Sequence, residues 1–465
     1  MTALLIILAL LLPVLMGSAW THALLPRHVI ARPLMVLGTG TLLGLLVLPQ
    51  IMRLWDALGW GLAILPTLLT CLGLTLLALA PGLRRSVSAA HPGAVPTAPM
   101  GNAGRLLLAL LLAMIALRLV TLATEVSLRP LFPWDATMHW ATKARVWFEH
   151  QAMVPFVDHN SWLERSGSGV YTDRHPHYPA TIPLLQVWIT LVLGQWNESA
   201  MNMPWLLCFM ALGAIFYSQA RLAGASTTIA AAFTYLLLSL PLLNTHVALA
   251  GYADMFLGAA FGCAVMCLHN WARLREPWLA ALALVFALLC PLIKNEGLIW
   301  ALTLIPALAV ALMQRREAAK FFVLLVLLGL LAVLVAPKDL AIVGHTIRDF
   351  RPSFNQEALL GIVYSIFQHS SWHLLGYLIL MLVPLGLVMP GALTRKLLIL
   401  TTVVACAAAA YFFLFVFTGF GAGAENFAAV GRLAIHLAPA GMFLAMLIYQ
   451  ELLARQRAGG ILQEP

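Results

Sequence analysis

Leu106-Leu-Leu-Ala-Leu-Leu-Leu-Ala-Met-Ile-Ala-Leu117 forms the centre of an apolar run over roughly 105–124. The run is continuous and rich in Leu and Ala, without the two-residue alternation of a membrane β-strand. Wound as a helix at ~1.5 Å per residue, it crosses the ~30 Å hydrocarbon core of a bilayer. Similar runs lie at roughly 3–24, 34–50, 58–81, 203–220, 227–245, 252–270, 277–293, 297–313, 320–337, 372–390, 396–418 and 433–450. The 465 residues are 62% hydrophobic and 10% charged, and the mean hydropathy is +0.91. A soluble chain cannot hide so much apolar surface. The expected fold class is an all-α polytopic membrane protein of about 13 transmembrane helices.

Four parts follow from the spacing of the runs: an N-terminal three-span block (1–82), a Pro/Gly/Ala-rich cytoplasmic linker (83–104), a core (105–271) and a C-terminal transmembrane bundle (272–465). The core contains the longest loop, 125–202. Within it, 178–193 is apolar, but a span there would invert the sidedness of Arg221, Arg273, Arg315 and Arg395. It reads instead as a helix lying in, or dipping into, the outer interface, its two prolines near the helix start.

The net charge of +9 falls in short inter-span loops, as the positive-inside rule requires, and calls for no nucleic acid. Arg27, Arg32, Arg84, Arg85 and Arg105 share one side with Arg221, Arg273, Arg315 and Arg395 if the N-terminus is outside. The expectation is an integral protein of the cytoplasmic (inner) membrane, N-terminus out and C-terminus in, with an extracytoplasmic active face. All six cysteines fall in apolar runs; Cys263 and Cys267 are one turn apart but lack His or acidic company for a metal. There is no phosphate-binding loop and no GxGxxG, so no cytoplasmic nucleotide is hydrolysed.

In that frame, Pro133–Phe148 is the polar exception. Helical periodicity gathers Asp135, His139, Thr142, Lys143, Arg145 and Glu149 on one face, and Ala136, Trp140, Ala144, Trp147 and Phe148 on the other. This predicts an amphipathic helix on the membrane surface. Asp135, between Trp134 and Trp140, reads either as a partly desolvated general base or as a helix N-cap. His150, Asp158, His159 and Glu164 read as a solvated loop. Tyr171-Thr-Asp-Arg-His-Pro-His-Tyr-Pro179, with His175, His177 and Tyr178, suits an acidic headgroup or sugar, or equally a structural turn.

Later outer span ends add Asp254, the Lys294-Asn-Glu296-Gly turn, where the charges either neutralise each other or act on a ligand, and Arg432 with His436 one turn on. Arg432 reads as a phosphate fork or a snorkelling anchor. Acids and cations thus converge on one leaflet that no nucleotide sugar reaches. A polyprenyl-phosphate-linked sugar donor fits: its phosphate meets Arg432 or Lys294 and an acceptor hydroxyl meets Asp135.

Trp134-Asp135-Ala136 after a span, His177-Tyr-Pro-Ala-Thr-Ile-Pro-Leu184, Gly251-Tyr-Ala-Asp254, Lys294-Asn-Glu-Gly297 and Gly431-Arg432 with His436-Leu-Ala-Pro439 occur in this order. In that order they resemble the GT-C superfamily of membrane glycosyltransferases, which includes protein O-mannosyltransferases and aminoarabinose transferases. The resemblance covers about 105–450. It implies an inverting glycosyltransferase with Asp135 as catalytic base, Asp254 as a second acid and Arg432 on the lipid phosphate. His139, Lys143, His175, His177, Tyr178, Lys294, Glu296 and His436 complete the expected substrate-binding set. Many members pair the first acid with another; Ala136 stands here instead, which removes an oxygen ligand a divalent cation would want. No cofactor is therefore assigned, and a divalent cation stays open only as the less favoured alternative. The three spans before residue 105 are additional, and a lipid or glycan acceptor is favoured over protein. The alternatives are a transporter or flippase of a lipid-linked or polar substrate, an O-antigen ligase or polymerase using a diphosphate-linked donor, and a non-catalytic assembly scaffold.

Overall fold

The computed structural model describes residues 2–80, 100–338, 340–342, 345–346, 350, 353–369, 371–388 and 395–458. Positions 83–99 of the expected linker, with Arg84 and Arg85, lie outside the described residues. Each of the apolar runs is helical. In chain order the helices are α1 (Thr2–Leu24), α2 (Arg32–Ala57), α3 (Ile64–Leu79), α4 (Asn102–Leu128), α5 (Thr142–His150), α6 (His159–Glu164), α7 (Thr181–Leu193), α8 (Met203–Leu222), α9 (Thr227–Leu238) and α10 (Pro241–Ala248). They continue as α11 (Asp254–Leu274), α12 (Pro277–Ile293), α13 (Gly297–Leu302), α14 (Leu304–Leu312), α15 (Arg315–Val335), α16 (Gln356–Val363), α17 (Leu375–Val388), α18 (Arg395–Val416), α19 (Ala422–Glu425) and α20 (Val430–Ala458). Among the described residues, strands are confined to two-residue pairs: Phe156–Val157 parallel to Tyr171–Thr172, and Ala341–Ile342 antiparallel to His345–Thr346.

Among the described residues, by length and composition 7 helices can cross a bilayer, or 8 if α9 and α10, bent by 61° at their junction, form one span. The remaining apolar helices α3, α7, α12, α13 with α14, and α17 are shorter. Many outward side chains are apolar: Leu76 is 69% exposed, Leu106 73% and Leu117 66%. Helix α4 buries only Leu111, Leu122 and Val126. Such surfaces are tolerable in hydrocarbon and costly in water. The protein is an all-α membrane protein.

Two compact units divide the chain. The first comprises Met1–Ser239, Leu243–Ala260 and Pro291–Lys294; the second comprises Leu240–Leu242, Phe261–Cys290 and Asn295–Pro465. The N-terminal block and the long loop therefore share one unit. Small residues make this possible. Gly40 and Gly44 on α2 lie against the backbone of Ser18 and Pro13 on α1, where any Cβ would collide. The other face of α2 meets α8, with Gly38 against Ala214. The turn after α2 is tied to the long loop: Leu62 N–H donates to Gln151 O at 2.7 Å, and Met153 N–H donates to Asp56 Oδ1 at 3.0 Å.

Helix α7 is not a surface helix. Eleven of its thirteen residues are buried. At ~1.5 Å per residue, thirteen residues reach about 20 Å, too short to cross. Trp188 Nε1 donates to Ala9 O at 2.8 Å, and Gln50 Nε2 donates to Thr181 Oγ1 at 3.0 Å. The helix thus dips between α1 and α2.

The second unit packs α17, α18 and α20, with Gly262 of α11 seated on Pro439. Trp300 Nε1 donates to His436 Nδ1 at 3.0 Å, both side chains fully buried.

Candidate functional site

Helix α5 begins as a π turn, Ala136–Ala141, preceded by helical Trp134 and Asp135. Asp135 has φ −64° and ψ −33°, and its side chain makes no capping hydrogen bond. The N-cap alternative is therefore not realised. Trp134 is 73% exposed and Trp140 is fully buried.

The π turn also changes which side chains are covered. A regular amphipathic helix would turn Asp135, His139 and Lys143 to water. Instead His139 is 9% exposed and Lys143 1%, alongside Ala136, Trp140, Ala144 and Trp147. The segment 171–180 folds back over His139 and Lys143, while Arg145 and Glu149 on the same face stay exposed. The expected wet stripe is corrected at His139 and Lys143, which are buried.

What repays the burial of Lys143 is Asp173, a residue missing from the sequence-derived set. Its Oδ2 lies 2.6 Å from Lys143 Nζ, and its Oδ1 lies 2.6 Å from His139 Nδ1. Oδ1 also accepts the His175 backbone N–H at 3.0 Å, while Lys143 Nζ donates to His175 O at 2.7 Å. Burial opposes the charge of Asp173, but the His139, His175 and Lys143 hydrogen bonds outweigh it and hold the carboxyl at about 2. An ionised carboxylate only accepts, so His139 must carry its proton on Nδ1 and present Nε2 elsewhere. Burial lowers the Lys143 ammonium below its usual range, with Asp173 pulling it back up.

Aromatic rings close the cluster. His175 stacks on Tyr178 with centroids 4.7 Å apart, and Tyr178 stacks on Trp140 at 4.9 Å. His139 meets His175 edge-on at 4.7 Å. Burial, then the His139 charge, depresses the His175 pKa, while Asp173 and Asp135 work the other way. Asp135 is thus an electrostatic neighbour of this cluster. Exposed His177 lies at its edge.

The second acid, Asp254, opens α11 and is fully buried. Lys294 Nζ donates to its Oδ1 at 2.9 Å, and Lys294 is 2% exposed. Asp254, a partner of Lys294, thus comes from forty residues away in the chain. The segment leading to Asp254 is set against the start of the π turn by Gly251. With φ +118° it occupies a conformation that L residues avoid, and a Cβ there would lie 2.5 Å from Ala136 Cβ. Asp135 and Asp254 are thereby anchored to one packed junction. Ala136 fills the place where a paired acid would stand, and the close contact leaves no room for one. Among the described residues no cluster of three or more His, Cys, Asp or Glu has metal-holding geometry.

Arg432 is half-buried near the start of α20, one turn before fully buried His436, and Glu296 is half-buried just before α13; all three belong to the second unit. Of the solvated-loop residues, His150, Asp158, His159 and Glu164 are exposed, and Asp158 caps α6 through Asn160 and Ser161.

The sequence signal for Asp173 was its setting: a single acid between aromatic Tyr171 and the cationic run Arg174, His175 and His177. Comparison with known protein families, with curated proteins and with solved structures finds no match.

Proposed function

We propose that this protein is a membrane glycosyltransferase that moves a sugar from a polyprenyl-phosphate carrier to a lipid or glycan acceptor on the extracytoplasmic face. The observation that carries the reading is the setting of Asp135. It is a partly exposed, non-capping carboxylate beside a buried His139–Asp173–Lys143 cluster, joined to the Asp254 segment through the Gly251–Ala136 contact. In the proposed reaction the Asp135 carboxylate takes the proton of the acceptor hydroxyl. That oxygen forms a bond to the anomeric carbon as the bond to the carrier phosphate breaks, inverting the centre. The carrier phosphate departs with the electron pair, and a cation offsets its charge. Arg432 takes that role on the GT-C resemblance. The 13-span topology and its sidedness belong to this reading, supported by the ties between the α2–α3 turn and the long loop, which span counting places on one face.

Asp135→Asn keeps the shape and removes the base. In membranes supplied with a polyprenyl-phosphate sugar, transfer to envelope lipids or glycans should fall at least a hundredfold; unchanged transfer would exclude Asp135 as the base.

A transport reading draws on a different observation. The 61° break between α9 and α10 and the buried Asp254–Lys294 pair are features of substrate pathways through broken helices. Transport predicts substrate flux across proteoliposomes without formation of a new glycosidic bond.

A further inference from the structure

A cavity of about 400 Å³ lies wholly within the first unit, beside the His139–Asp173–Lys143 cluster. Its polar wall is cationic. Arg53 enters from α2, Lys143 from α5, and His177 from the segment that folds over them. Trp147, Phe156 and Tyr178 supply aromatic surface, and no Asp or Glu lines the cavity.

Its three cations are not equivalent. Lys143 is neutralised by Asp173 at 2.6 Å. Arg53 has no carboxylate partner among the described residues; its guanidinium donates to Gln50 Oε1 at 3.2 Å, which leaves most of its donor fork unused. His177 is exposed and has no hydrogen-bond or ring partner among the described residues. A hydrogen bond fastens one wall to the helix that carries Arg53: the N–H of Met153, which lines the cavity, donates to Asp56 Oδ1 on α2 at 3.0 Å.

We propose that this cavity binds a phosphate-bearing group, held by the Arg53 fork and by His177, with the organic moiety against Trp147, Phe156 and Tyr178. An Arg fork matches phosphate oxygens in pairs, and flat aromatic faces take the C–H surface of a sugar or a headgroup. The volume falls within the range of small-molecule sites and exceeds what bare phosphate would fill. This also gives the N-terminal three-helix block a task, since it contributes Arg53. The inference does not rest on sugar transfer.

The same phosphate chemistry has two sources, a lipid headgroup or a water-soluble sugar phosphate. Full-length protein in phosphatidylcholine nanodiscs is titrated with radiolabelled glucose 1-phosphate. In parallel, micelles containing phosphatidic acid and phosphatidylcholine are offered, and retained lipid is counted by native mass spectrometry. Retention in the first arm alone identifies an aqueous ligand; selective retention in the second identifies a lipid. The double variant Arg53→Gln/His177→Gln should weaken whichever binding occurs by roughly tenfold or more. Arg53→Lys, which keeps the charge but loses the fork, should fall between. Arg174→Gln, an exposed cation off the cavity, should bind as the wild type does. Absence of binding in both arms, or equal binding by the double variant and the wild type, overturns the proposal. Both substituted side chains are exposed, so thermal midpoints matching the wild type separate lost binding from lost folding.

Discussion

Asp173 carries a negative charge at 6% exposure, and the surrounding donors make this sustainable. Its folded-state pKa of about 2 lies below the unfolded value near 4. The stabilisation is therefore fully present above about pH 4 and is lost as pH falls through 2, on the order of 2 kcal/mol. Asp173→Asn leaves Lys143 buried without its counter-charge and should cost about 3–5 kcal/mol. Thermal unfolding of detergent-solubilised protein from pH 6 to 2 checks both statements. The wild-type midpoint should drop across the acid limb, while the variant should start lower and change less. A variant as stable as the wild type at pH 6 would show that the ion pair has no structural weight. A one-dimensional reading found four of the five polar members of this cluster, His139, Lys143, His175 and Tyr178, because they crowd two short segments. It passed over Asp173 because its setting beside aromatic and cationic residues does not by itself distinguish a carboxylate that pairs across thirty residues of chain from one that faces water.

At the scale of elements, the junction between Gly251 and Ala136 decides whether two acids meet one region. Gly251→Ala introduces both an unfavourable φ and a contact at 2.5 Å. A loss of about 2–4 kcal/mol is expected from strain and overpacking together. Adding Ala136→Gly relieves the contact but not the φ, so the double variant should regain only part of the midpoint; full recovery would refute the conformational argument. The Asp254–Lys294 pair joins the starts and ends of two helices. Lys294→Met alone should cost about 3–5 kcal/mol, while Lys294→Met with Asp254→Asn should cost less than the sum of the single changes. Additive losses would mean the two residues act separately. Periodicity located these helices but mis-stated one face. A 3.6-residue repeat assigns Asp135, His139 and Lys143 to a wet stripe, whereas the π turn and the returning 171–180 segment bury His139 and Lys143 and leave Asp135 partly exposed.

Across the whole molecule, the alternation of spans makes a prediction that labelling can check. Five of the six native cysteines are buried and Cys406 is half-buried, so background reaction should be low. Leu58→Cys and Ser168→Cys should react with a membrane-impermeant maleimide added outside intact cells. Arg27→Cys and Gln314→Cys should react only after permeabilisation. Labelling of Leu58→Cys and Ser168→Cys from opposite sides would contradict the hydrogen bonds that tie their segments together. Composition and run length alone determine that this chain is helical and membrane-embedded, because unsatisfied backbone in hydrocarbon leaves few other structures for Leu- and Ala-rich segments. They also confine most polar candidates to the long loop and the span ends. Only the tertiary structure decides which charges answer one another: Asp173 with Lys143 and His139, Asp254 with Lys294, and Arg53 with no carboxylate among the described residues. The reason is physical. Hydrophobic burial is written into local composition, whereas a buried charge is stable only beside a partner, and these partners are brought in from distant parts of the chain.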